Sequence, residues 1–170
     1  MVEAEILAGS DGRLIPSKVE PDVDHRDIVV AALGGFSALW LQVKGSTHLD
    51  KEGRVIATAT FPIGAIPESD RLYYVVCMVD LKEHKLARVW LVPSADFNRL
   101  ANHDHPHRPG HVTLQFSCIA TGDQRWDQFE VPRLGLAARL EPLVATLGPA
   151  TTEELSALRH QIPSGLRLSL

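Results

Sequence analysis

The chain has 170 residues, 45% of them hydrophobic and 22% charged, with a formal net charge of -4. That is enough apolar sequence to bury the core of one domain, so residues 1–170 are read as a single domain, and disordered, collagen-like and disulfide-dense classes are excluded. The acidic balance also argues against a protein that coats polyanions through a general positive surface, because such binding rests on Lys and Arg neutralising phosphates.

In chain order, residues 3–7 form a short helix stopped by Gly9-Ser10-Asp11-Gly12. Strands then dominate. Residues 26–33 and 38–44 are apolar or β-branched runs on either side of Gly34-Gly35, a hairpin signal. Strands follow at 54–61, 72–81 and 86–92, the last two joined by a loop at 82–85 short enough for a second hairpin. Ser94 is the expected N-cap of a helix running to about Ala101, with Asp96 near its positive end. After a polar loop at 103–110, residues 111–120 and 124–131 read as a later strand pair. Leu134, Ala137, Leu140 and Val144 have helical spacing in a segment that Pro142 should kink or split. Thr151 and Glu154 fit a capping box for a last helix with Leu155, Leu158 and Ile162 on its apolar stripe.

Cys77 and Cys118 sit in apolar strand-like runs and read as buried free thiols without zinc spacing. The start carries Glu3 and Glu5 where a signal peptide would be basic, and no apolar run approaches about 18 residues, so a cytoplasmic protein without membrane contact is expected.

The chemistry is concentrated at the first hairpin. If Gly34-Gly35 are the two central residues of a tight turn, counting outward by equal steps sets Asp27 opposite Gln42, on one face. Lys44, two residues on, shares that face. A carboxylate, an amide oxygen and an ammonium then converge. Mg²⁺ prefers hard oxygen ligands completed by water and phosphate. Asp27 offers a carboxylate, Gln42 and the Val43 carbonyl offer neutral oxygens, and Lys44 can orient water or stabilise developing charge. Asp27 is preferred over Asp22 and Asp24 because only Asp27 lies inside the predicted strand. The bland reading is a solvated hairpin face with a diagonal Asp–Lys pair worth a few tenths of a kcal/mol.

Asp27, a strand, a turn and Gln42-Val43-Lys44-Gly45-Ser46 resemble the core of the PD-(D/E)XK nuclease superfamily. The resemblance implies an α/β, restriction-endonuclease-like fold: a central mixed sheet with an antiparallel hairpin core flanked by helices. It further implies a metal-dependent nuclease acting on DNA, with Mg²⁺ or Mn²⁺ held by Asp27, Gln42 and Val43, and with Lys44 assisting attack of water. Glu5 is chosen over Glu3 for the acid that the family often has on its first helix. Gln42 stands where the family more often has an acid, which removes one negative charge from the site. The alternative is therefore a catalytically inactive nuclease-fold module that binds nucleic acid or a protein partner. A third reading is an unrelated interaction domain. A single-site nuclease would need a homodimer to cut both strands.

Other features have simpler readings. His103, His105, His107 and His111 alternate in a Pro-containing loop without metal-site spacing, and read as a surface loop. Tyr73, Tyr74, Trp90 and Trp126 lie on strand-like runs and read as core rather than as base-stacking platforms. Lys51, Arg54, Arg71, Lys82, Lys85 and Arg88 would form a basic groove if they cluster.

Overall fold

The computed structural model describes residues 1–19, 26–35, 37–104, 109–119, 125–132 and 134–149, so the expected last helix lies outside the described residues. The order is α1 (Val2–Gly9), β1 (Leu14–Lys18), β2 (Ile28–Ala32), β3 (Ala38–Ser46), β4 (Arg54–Pro62), β5 (Leu72–Asp80), β6 (Lys85–Pro93), α2 (Ser94–Leu100), β7 (Asn102–Asp104), β8 (His111–Ile119), β9 (Glu130–Val131) and α3 (Leu136–Thr146). The fold is α/β. A mixed six-stranded sheet runs β1-β2-β3-β5-β6-β9, and an antiparallel three-stranded sheet runs β4-β8-β7. Among the described residues only β3 and β5 pair in parallel. Parallel neighbours need a long crossover, and here the crossover carries β4 into the second sheet rather than a helix.

The alternation of β5 shows how the layers form. Val75 and Cys77 point into an aliphatic core with Ile6, Val30, Leu39, Leu41, Leu136 and Leu140, beneath α1 and α3. Tyr74 and Val76 point the other way, into a core with Phe61, Trp90, Phe97, Phe116 and Trp126, beneath the second sheet and α2. Where helices alone were expected to flank the sheet, α1 and α3 cover one face and a second sheet with α2 covers the other. The two helices meet closely at Gly9, where a Cβ would come within 3.1 Å of the Ala137 Cβ. No helix among the described residues is long and apolar enough to cross a membrane.

Several local expectations are corrected. β1 was not anticipated: Pro16 lies inside it, and proline in a strand is tolerated only at an edge, which β1 is. Ser94 is not the N-cap of α2. Pro93 is, and the Ser94 hydroxyl instead donates to the Ser69 carbonyl and accepts the Ser69 N–H, each at 2.9 Å. The run 111–120 does not pair with 124–131. β8 lies between β4 and β7, and the later run yields a single 3-10 turn and β9, which pairs with β6. α3 continues through Pro142 without being split. Both cysteines are buried and free, as expected.

Candidate functional site

The β2–β3 ladder has the register counted from the sequence, with Ile28 opposite Leu41 and Val30 opposite Leu39. The turn itself is wider than two residues. β2 ends at Ala32, the Gly35 N–H donates to the Ala32 carbonyl at 2.9 Å, and Gly34 adopts the left-handed φ of +75° for which glycine is suited.

The register stops at Asp27. Its N–H donates to the Leu41 carbonyl at 2.9 Å, although Leu41 is already the partner of Ile28. Two successive residues thus address one, as at a β-bulge, and period-two counting fails there. Asp27 is therefore not the face-sharing partner of Gln42. Its Oδ2 accepts the Val43 N–H at 2.5 Å, which places the carboxylate close to the plane of the sheet, where β2 runs out. The carboxylate satisfies a strand donor that would otherwise lack a ladder partner.

Gln42 and Lys44 turn to the opposite face from Val43, alongside Tyr74 and Val76 in the register of β5. Gln42 is buried, at 1% exposure, and Lys44 is half-buried. On their face it is Arg26, from the segment before β2, that arrives, its guanidinium 4.9 Å from the centre of the Trp40 ring, a cation–π distance. The expected patch is thus divided: Asp27 lies at the Val43 backbone, while Gln42, Lys44 and Arg26 occupy the sandwich side.

On the helix side a cavity of about 350 Å³ is lined by Glu3, Lys18, Asp27, Val43, Gly45 and Cys77, among others. It contains Glu3 rather than the chosen Glu5. Successive helical residues turn by about 100°, so residues two apart point nearly opposite ways. Glu5 lines a separate cavity of about 310 Å³ with Arg88, Glu130 and Pro132, where burial raises its carboxyl above the ordinary range. Lys18 escaped sequence reading because β1 did; Pro16 masked the alternation around it. Burial, and then the nearby Glu5 charge, push the Cys77 thiol up to about 11, so it is not a nucleophile at neutral pH.

Most of the scattered cations are paired with acids. Arg54 is held by Asp50 and Glu52, Arg88 by Glu130 at 2.6 Å, Lys85 by Glu83 and Lys51 by Glu52. Arg71 is buried and donates to the Gly148 carbonyl at 2.7 Å. His103 and His111 bond to the carbonyls of Asn98 and Pro109, and His105 and His107 lie outside the described residues. Among the described residues there is no group of three or more His, Cys, Asp or Glu arranged to hold a metal. Tyr74, Trp90 and Trp126 are fully buried core residues, as expected.

No protein-family model matches the chain, and no curated protein shows significant similarity to it. The functional reading therefore rests on the residues and their geometry.

Proposed function

We propose that the protein is a metal-dependent nuclease-like protein of the PD-(D/E)XK type acting on DNA, with its site at Asp27 and Gln42-Val43-Lys44. The observation that supports this reading is that the Asp27 carboxylate is fixed against the backbone of that triplet, 16 residues along the chain. The oxygens at Asp27 and Val43 fit Mg²⁺ or Mn²⁺, which prefer hard ligands. Asp27 would hold the ion with its remaining lone pairs and the Val43 carbonyl would add a neutral donor, whereas the expected Gln42 amide is buried on the other face of the sheet and would not reach it. Once bound, the ion supplies an activated water and neutralises phosphate charge. Lys44 and Arg26, both on the Gln42 face, would engage the phosphate backbone. Glu3 replaces Glu5 as the helix acid, because it shares the Asp27 cavity.

The test is Mn²⁺-dependent cleavage of plasmid and single-stranded DNA by the wild-type chain and by Asp27→Asn and Lys44→Ala. Asn retains an acceptor for the Val43 N–H, so that variant should fold while losing at least about 100-fold in rate, in line with what removal of a charged catalytic group costs. Cleavage undiminished in both variants overturns the reading.

A specific observation favours the second reading, a catalytically inactive nuclease-fold module. Asp27 already has a structural task in receiving the Val43 N–H, and Gln42 is neutral. Calorimetry that detects no Mg²⁺ or Mn²⁺ binding by a chain that still retains DNA would select it.

A further inference from the structure

A strand at the edge of a sheet exposes unpaired N–H and C=O groups, and proteins blunt such edges with short length, proline, charge or a covering element. Three edges here are blunted. β1 has five residues including Pro16 and Lys18, β7 has three residues, and β6 is capped at Val89 and Trp90 by β9. The fourth, β4, is different. It has nine residues, no bulge against β8, and neither charge nor proline from Val55 to Phe61.

The hydrogen-bond phase of β4 shows which groups are open. Beyond the strand, the Ile63 N–H donates to the Gly110 carbonyl in the same register, at 2.9 Å. Antiparallel pairs alternate between bonded and non-bonded, so odd-numbered residues of β4 bond to β8. Ile56, Thr58 and Thr60 therefore turn their N–H and C=O outward, and no partner for them occurs among the described residues. Both ends of the edge are closed. The Arg54 carbonyl accepts the Asp50 N–H at 2.9 Å, its N–H donates to Asp50 Oδ1 at 2.8 Å, and Pro62 has no N–H to offer.

The open stretch is complementary to itself. Antiparallel pairing about a two-fold axis at Thr58 sets Thr58 opposite the partner's Thr58 and Ile56 opposite the partner's Thr60, with every outward N–H and C=O matched. On the buried side it sets Ala57 opposite the partner's Ala59, small against small, and Val55 opposite the partner's Phe61. No like charges meet. We propose that two copies of the chain join edge to edge through β4 about Thr58, forming a closed two-fold dimer with a continuous six-stranded sheet. The edge sequence is near-symmetric about Thr58, with small residues at 57 and 59 and larger apolar residues at 55 and 61, which favours a second copy as the occupant.

The test uses sedimentation and disulfide trapping on the full chain. At micromolar concentration the wild type should sediment at twice the 18.7 kDa of one chain. Thr58→Lys, an exposed change checked for folding by circular dichroism, should weaken association at least 100-fold on this proposal, an estimate on the order of what like charges in direct opposition cost an interface. Thr58→Cys should cross-link to itself under mild oxidation, since directly bonded partners have Cα atoms about 5.5 Å apart, within disulfide reach. Ile56→Cys and Thr60→Cys should cross-link when mixed but not alone, because each lies about 13 Å from its own copy. A chain that stays monomeric, as it would with a different protein's strand or its own residues 151–170 as the occupant, overturns the proposal. So does cross-linking of Ile56→Cys to itself.

Discussion

Beneath α1 and α3 the six-stranded sheet is packed by aliphatic side chains such as Ile6, Val30, Leu41 and Leu140, whereas beneath the second sheet it is packed by Tyr74, Trp90, Phe97, Phe116 and Trp126. Helices bring ridges of side chains into contact and need little filler. Facing sheets stand about 10 Å apart, and large rings fill that gap. The rings stack accordingly: Tyr74 lies 3.9 Å from Phe97 at an interplanar angle of 11°, and Phe116 lies 4.5 Å from Trp126. The aromatic solution has a cost. The Tyr74 hydroxyl and the indole N–H groups of Trp90 and Trp126 are buried without a hydrogen-bond partner among the described residues. Each orphan costs about 1–3 kcal/mol, which ring burial must exceed.

Four measurements break or sharpen this contrast. Trp126→Ala should cost about 3–5 kcal/mol in urea unfolding, more than any single aliphatic truncation beneath the helices that removes one methylene. A cost below about 1 kcal/mol would mean that the rings merely occupy space. Alkaline pH probes both faces through β5. The Cys77 thiol is raised to about 11 from 9.0, and the Tyr74 phenol is also raised, both by burial. The unfolded chain therefore loses these protons first. Their contribution is fully present below about pH 9 and disappears as pH climbs through the folded values, so stability should fall steadily over that range. Cys77→Ala should flatten the earlier part of the decline; an unchanged slope would exclude the thiol as its source. Ile6→Val, a methylene deletion in the aliphatic core, should cost about 0.5–1.5 kcal/mol in the same unfolding experiment. Smallest of all and opposite in sign, Tyr74→Phe should raise stability by about 1 kcal/mol, the low end of the orphan cost, because the hydroxyl it removes has no partner among the described residues. A loss near 2 kcal/mol would reveal a bridging water.

Local patterns were readable where a short turn joined two plainly apolar runs, and not at β1, where Pro16 interrupts the alternation. Gly34-Gly35 between apolar runs led to the observed β2–β3 register, and the 82–85 loop led to the β5–β6 hairpin. The stops after α1 were equally plain, since Asp11 and Gly12 take positive φ. Distant pairings were not readable. Nothing near β8 says that its partner is β4, because the alternating residues of β8 would fit either neighbour equally well. The candidate site was legible by segment and misread by face. Asp27 does reach the Gln42-Val43-Lys44 triplet, but one irregular hydrogen bond to Leu41 moves its carboxylate off the face that alternation assigns.

By itself the sequence determines that the long apolar runs are strands, which residues are apolar enough to be buried, and the step count of a local hairpin, because these follow from periodicity and turn chemistry within a few residues. Only the tertiary structure decides that β4 crosses to a second sheet, that Glu3 rather than Glu5 faces Asp27, and that Asp27 caps Val43 rather than facing Gln42. The reason is that two residues along a helix, or a ladder irregularity of a single residue, turn a side chain to the opposite side, and what selects it is the packing of elements far apart in the chain.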